Sequence, residues 1–173
     1  MTHRQFEQHV LQYQHRVFGF AYHFLGDREE AEDVTQEVFI RFWNHRGEVD
    51  GGQPIGWLLR VTRNASVDAL RRRNSYRKTI SGDSEQVELA RGDAPGPAKD
   101  AESSDFRAML DQALDRLSEP YKSLVILREL QDLSYQEIAD TLALPLTTVK
   151  VYLHRARKML RDHLTEVMHR ETH

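Results

Sequence analysis

Residues Leu133–Leu160 read LSYQEIADTLALPLTTVKVYLHRARKML, and their spacing decides the fold of the C-terminal part of the chain. Ser134 and Glu137 stand three apart, as in a capping box, and Leu133 with Ile138 has the spacing of a hydrophobic staple. A short helix is therefore predicted to start at Ser134 and to end around Leu142, where ALPL turns the chain. The longer helix that follows turns Val149, Leu153, Ala156 and Leu160 inward. Its other side shows Thr147, Thr148, Val151, His154, Arg155 and Lys158. A short capped helix, a tight turn and a helix with a polar, basic outer face make a helix-turn-helix, whose second helix lies in the DNA major groove. There Arg and Lys donate to guanine or phosphate, and Val and Thr methyls touch thymine. The alternative at this point is a helical hairpin in a protein-binding bundle, since capping boxes occur in many helices.

Upstream, Phe6, Val10, Tyr13, Val17, Ala21 and Phe24 recur at helical spacing and predict one amphipathic helix that stops at Gly26. Asp27 is placed to cap the next helix, with Glu30 reaching back in a capping box. That helix buries Val34, Val38 and Phe42. NHRGEVDGGQP breaks the pattern as a loop. A third helix starts near Pro54 and is expected to bury Leu58, Val61, Ala65 and Ala69, with Arg60, Asn64, Asp68 and Arg71 on an adjoining face. Residues 79–103 are rich in Gly, Pro, Ser and acid and read as a flexible linker. Helical spacing returns with Phe106, Met109, Leu110, Ala113, Leu114 and Leu117. At SEP, Ser118 is the expected cap of another helix, with Pro120 in its first turn. The fold class is all-α: two small helical bundles, 1–78 and 104–173, joined by an acidic tether.

The formal charge is −3 over 173 residues, but it is not evenly spread. Arg60–Lys78, RVTRNASVDALRRRNSYRK, carries seven positive side chains and one negative. Residues 150–173 carry six positive and three negative, whereas 1–59, 79–103 and 104–149 are each net −4. Two basic elements on an acidic body suggest two contacts with one polyanion. With 39% hydrophobic and 29% charged residues, and only 9 Gly and 5 Pro, the composition suits a helix-rich protein. The absence of Cys excludes disulfides, thiolate-bound zinc and cysteine catalysis. MTHRQFEQHV has no signal-peptide pattern and no apolar run is long enough to span a membrane, so the expected compartment is the cytoplasm.

DREEAEDVTQEVFIRFW followed by GWLLRVTRNASVDALRRR resembles the region 2 signature of extracytoplasmic-function (group IV) sigma factors of the sigma-70 family. LDRLSEPYKSLVILRELQDLSYQEIADTLALPLTTVKVYLHRARKML resembles their region 4. The resemblance covers about residues 5–78 and 106–162. It implies that the second helix docks on the clamp coiled coil of the largest RNA polymerase subunit through Asp33, Gln36, Glu37 and Arg41, while the flap of the second subunit is a further partner. It implies that the third helix meets the −10 promoter element. Asn64 and Asp68 would face bases, and Arg60, Arg63, Arg71, Arg72 and Arg73 would neutralise phosphates. Asp68 either accepts from a base amino group or pairs with Arg71 or Arg72. The loop around Asn44–Gln53 matches one that holds a flipped-out base. In region 4, Lys150, Val151, Tyr152, His154 and Arg155 match contact positions for the duplex −35 element, beside Thr147, Thr148 and Lys158. The family often has Gly in the turn, Gly before TVK and Ser after it. Here Ala143, Thr147 and Val151 stand instead, and Val151 removes a hydroxyl from the reading face. The linker either threads the polymerase RNA-exit path or is an ordinary solvated tether. An anti-sigma factor, often membrane-bound, is a further implied partner.

Two other classes compete. A free-standing helix-turn-helix regulator would have no use for the Arg-rich third helix. An enzyme, such as a metal-dependent nuclease, would need more than the scattered 9 His. HLTEVMHRETH lacks the i, i+4 His pair that binds metal on a helix. There is no nucleophile–base arrangement and no phosphate-cradling glycine loop. The expectation is a non-enzyme with no cofactor, no metal, no small-molecule substrate and no membrane insertion.

Overall fold

The computed structural model describes residues 1–49, 53–81 and 101–172. It divides into two compact units, Met1–Ala94 and Pro95–His173. Among the described residues there are helices and turns but no strand, as the all-α reading expects.

In the first unit, Thr2 and Gln5 form a capping box that starts α1 (His3–Leu25). Gly26 ends it at φ 67°, the left-handed conformation that costs least without a Cβ, and its N–H closes on the Tyr22 carbonyl at 2.8 Å. Asp27 then caps α2 (Arg28–Asn44), accepting from the Glu30 N–H at 2.9 Å. The reciprocal half of the expected capping box is absent, because the Glu30 carboxylate is turned to Arg73 on α3 (Ile55–Ser81). Each of the three helices packs on the other two. Phe20 and Phe24 of α1 stack at 5.9 Å and are fully buried with Phe42, Leu58 and Leu59. Burial of each such side chain contributes about 1.5–3 kcal/mol. The buried line of α3 differs from the expected one. Val61 and Ala69 are only half-buried, whereas Thr62 and Ser66 are wholly buried. Thr62 satisfies its hydroxyl on the Leu58 carbonyl at 2.6 Å. Among the described residues the Ser66 hydroxyl has no hydrogen-bond partner.

In the second unit, α4 (Ala101–Asp115) packs on α7 (Leu146–Glu171), which also receives α5 (Tyr121–Val125) and α6 (Tyr135–Leu142). Phe106, expected on the apolar stripe of α4, is 56% exposed; among the described side chains the buried positions begin further along, with Asp111, Ala113 and Leu114. Ser118 does not cap α5 with its side chain. Glu119 does that work, accepting from the Ser123 N–H at 2.9 Å and the Ser123 hydroxyl at 2.6 Å. α5 runs on into a π-helical turn, Ile126–Leu130, closed by the Gln131 N–H on the Ile126 carbonyl at 3.0 Å. The capping box of α6 forms as expected, with Glu137 N–H to Ser134 Oγ at 3.1 Å and Ser134 N–H to Glu137 Oε1 at 3.0 Å. Leu133 and Ile138 are both buried beside it. α6 ends at Ala143, φ 53°, and Pro145 starts α7. The expected tether, 79–103, lies outside the described residues from 82 to 100; α3 reaches Ser81 and α4 begins at Ala101.

Candidate nucleic-acid interface

The outer face of α7 is set by its buried one. Val149, Leu153 and Ala156 fix the helix against its neighbours, which leaves Thr147, Lys150, Val151, His154, Arg155 and Lys158 exposed on one side. Val151 is 49% exposed, an apolar contact surface amid donors. Thr148 and Tyr152 lie on the shoulder of that face, half-buried. Tyr152 packs on Tyr121 with ring centroids 5.5 Å apart, and the Arg155 guanidinium lies 5.9 Å from the Tyr152 ring. The tyrosine thus supports the arginine. Arg157 is drawn away from this face to Glu129, at 2.7 Å, and that bond raises its pKa above the ordinary arginine value.

A shallow depression of about 400 Å³ opens beside this helix at the start of α6, lined by Arg128, Ser134, Tyr135, Gln136, Leu146 and Lys150. Arg128 donates to the Leu133 carbonyl at 2.8 Å and lies 5.0 Å from the Tyr135 ring. Two cations beside a helix N-terminus suit a backbone phosphate. Sequence reasoning missed Arg128 and Gln136. The signal was the sequence position of Gln136 in the first turn of a capped helix, where side chains flank the exposed row of α7.

On α3, Arg60, Asn64, Asp68 and Arg71 form one exposed row, as their helical spacing requires. Arg63 Nη1 donates to Asn64 Oδ1 at 3.3 Å. Asp68 forms no ion pair with Arg71 or Arg72, so its carboxylate stands as a solvent-facing acceptor within a basic row. Arg72 is exposed too. Arg73 departs from the reading that made it a phosphate contact. Its guanidinium is turned into the bundle, bonded to Glu30 and to the Leu25 carbonyl, and its side chain is only 10% exposed. Of the loop expected to hold a base, 50–52 lie outside the described residues. Beside it, Trp43 carries Arg46 at 4.0 Å over its ring, and His45 lies 6.0 Å from Trp57.

On α2, Asp33 and Gln36 are exposed, and Glu37 pairs with Arg41 at 2.6 Å. Asp33 and Gln36 rim a groove of about 900 Å³ between α1 and α2, with Val10, Phe18, Phe39 and Ile40 among its apolar walls. Ile40, 57% exposed, was missed as a surface residue. Its sequence position, four after Gln36 and off the Val34–Val38–Phe42 stripe, carried the signal. Among the described residues no group of three or more His, Asp or Glu is placed to hold a metal ion, and no helix is long and apolar enough to cross a membrane.

The sequence matches the family Sigma-70 region 2 over residues 9–76 and the family Sigma-70, region 4 over residues 107–160. It is 36% identical over 157 residues to the ECF RNA polymerase sigma factor SigE of Mycolicibacterium smegmatis, covering 91% of this chain and 60% of that protein. It is 33% identical over 165 residues to the RNA polymerase sigma-H factor of Pseudomonas aeruginosa, covering 91% of this chain and 84% of that one. With the ECF RNA polymerase sigma factor SigK of Mycobacterium ulcerans it shares 30% over 151 residues, 85% of this chain and 79% of that protein. The fold is that of the sigma factor RpoE of Bartonella quintana, solved in complex with the anti-sigma factor NepR: TM-score 0.73, 23% identity, 92% of this chain and 96% of that chain. CnrH, solved in complex with the cytosolic domain of CnrY, superposes with a TM-score of 0.71 at 21% identity over 95% of this chain and 90% of that chain.

Proposed function

The chain belongs to the extracytoplasmic-function sigma factors of RNA polymerase, and from that premise we propose that it directs the core enzyme to promoters by reading two DNA elements with two separate helices. The observation that carries this is the pair of exposed basic rows, Arg60–Asn64–Asp68–Arg71 on α3 and Lys150–Val151–His154–Arg155–Lys158 on α7, one in each compact unit.

The α7 row enters the major groove of the −35 duplex. Arg155 and Lys150 supply donors, Val151 and Thr147 supply methyls, and Thr148, Tyr152, His154 and Lys158 flank them. Arg128 and Gln136 hold the adjoining phosphates. The α3 row takes the −10 strand as the duplex opens: Asn64 and Asp68 face bases, Arg60, Arg63, Arg71 and Arg72 face phosphates, and the loop after α2 receives an extruded base. Extrusion needs a pocket and no catalytic group, so the protein acts without enzymatic chemistry of its own. The α2 face of Asp33, Gln36, Glu37 and Arg41 docks on the clamp coiled coil of the largest polymerase subunit, and the second unit meets the flap of the second subunit. The domains are then 1–78 for docking and −10 reading, 79–103 for the tether and 104–173 for −35 reading, with α3 carrying the first helical unit to Ser81 and α4 opening the second at Ala101.

An anti-sigma factor is the partner that fits regulation. Two relatives of this fold are solved with proteins of that kind or with a cytosolic domain bound, and the apolar α1–α2 groove offers such a partner a surface that overlaps Asp33 and Gln36. The place of action is the cytoplasm, where the polymerase and its template are.

Run-off transcription from a genomic fragment library, with bacterial core polymerase alone and with this protein added, tests the reading. Specific new starts that need the protein, sharing two spaced elements upstream, are the expected result. Tight DNA binding by the protein alone with no new starts would instead make it a free-standing helix-turn-helix regulator.

A further inference from the structure

Arg71, Arg72 and Arg73 are adjacent in sequence, yet one of them faces the other way. Successive helical residues are about 100° apart. Arg71 therefore continues the row of Arg60, Asn64 and Asp68, and Arg73 is swung about 200° from it. There its Nε donates to both Glu30 oxygens at 3.1 Å, and its Nη2 donates to the Leu25 carbonyl at 2.8 Å and to Glu30 Oε2. Leu25 is the last residue of α1 and Glu30 lies in the first turn of α2. The guanidinium thus sits at the negative end of one helix dipole, beside an acid at the positive end of another, so each charge matches the helix end it meets. One side chain of α3 joins two other helices where the chain turns between them.

The position along α3 gives this joint its use. Among the described side chains of α3 the last that is wholly buried is Ser66; Val67–Ile80 are half-buried or exposed. The basic half of the helix consequently projects past the core, and Arg73 ties that half back to residues 43 and 48 positions away in sequence. We propose that Arg73 is a positioning residue: it locks the base-reading helix to the α1–α2 corner, so that the pull of phosphates on Arg71 and Arg72 does not rotate Asn64 and Asp68 away from the bases. The proposal rests on the sigma-factor reading given above. It also links the reading helix to the docking helix, because Glu30 opens the same α2 that carries Asp33, Gln36, Glu37 and Arg41.

The decisive variants are Glu30→Gln, which keeps shape and removes charge at a residue that touches no DNA in this scheme, and Arg73→Lys, which keeps charge and loses the planar fork. The full-length chain with core polymerase is assayed for polymerase affinity, melting temperature and promoter opening, read as permanganate reactivity of unpaired thymines. Opening is measured on a duplex promoter and on the same promoter with a pre-opened −10 mismatch. Both variants are expected to lower duplex opening by about tenfold, less than the loss of a fully buried partner because Glu30 stays partly exposed. Polymerase affinity should stay within about twofold, the loss on the pre-opened promoter should be smaller, and the double variant should be no worse than Arg73→Lys alone.

Glu30→Gln opening the promoter as well as or better than the unmodified chain would overturn the proposal, since a phosphate-contacting arginine gains by release from Glu30. Equal loss of polymerase binding and of opening on both promoters, with a lower melting temperature, would overturn it in favour of a purely structural pair. Failure of the unmodified chain to open any promoter would overturn the sigma-factor reading itself, and this inference with it.

Discussion

Arg155 is exposed on the outer face of α7 and steadied by Tyr152. Arg155→Ala should weaken binding to a matched −35 duplex by about 1–3 kcal/mol and relax selectivity at one base pair, measured by competition among duplexes changed one pair at a time. Equal loss on every duplex would make it a phosphate contact. Ser66 offers the opposite test. Its hydroxyl is buried without a partner, so Ser66→Ala should leave stability unchanged or raise it by up to about 1 kcal/mol in a denaturant titration. The exposed rows on α3 and α7 were legible in the sequence because helical spacing alone converts residue numbers into a face. Arg73 was not. Helical spacing puts it seven residues after the buried Ser66 and away from Arg71, but an arginine there still reads as basic surface; what holds it inward is Glu30, 43 positions upstream. The buried Thr62 and Ser66 were missed for a related reason, since a hydropathy pattern counts small hydroxyl residues as polar although they suit close helix contact.

Among the elements, α6 is held by local devices at both ends. Ser134→Ala removes its cap and should cost about 1 kcal/mol, seen as a lower unfolding midpoint for the second unit. At the other end Ala143 adopts φ 53°, where a Cβ is strained. Ala143→Gly should therefore stabilise the turn by up to about 1 kcal/mol, and a loss of stability there would show that the strain is already relieved. The capping box of α6 was legible because donor and acceptor lie three residues apart; at α2 only the Asp27 half formed, and the box of Thr2 and Gln5 at α1 was missed. The start of α5 was not: Ser118 is the more common cap, but the Glu119 carboxylate reaches both the Ser123 N–H and its hydroxyl. The π-helical turn that follows also left no local mark, since ILREL has the composition of any amphipathic helix.

Across the whole molecule, the all-α class and the two bundles were legible because basic and acidic segments alternate along the chain and helical periodicity lapses between the bundles. What composition could not supply was which cations are paired within the protein and which are left for a polyanion. Of the arginines, Arg73 and Arg157 are engaged by acids of the same unit, while Arg60, Arg71, Arg72 and Arg155 face solvent. The salt dependence of promoter binding by the holoenzyme separates the two groups. Arg71→Gln with Arg72→Gln should flatten the log–log slope by about 0.7–0.9 for each charge removed. Arg157→Gln should leave it nearly unchanged, and a slope that falls equally in both cases would contradict the division.

α7 is one unbroken helix of 26 residues, about 39 Å long. It presents the side chains proposed to read the groove near one end, while near the other Glu166 pairs with Arg116 at 2.5 Å. A rigid rod amplifies angle into displacement: a tilt of about 5° about one end moves the other by about 3 Å, the difference between a hydrogen bond and none. If α7 reads the groove as proposed, substitutions around Val167 and Glu166 should therefore act on sequence preference as an aiming error does at the muzzle of a long barrel. On that reading, part of the alphabet would be written in residues that never touch DNA.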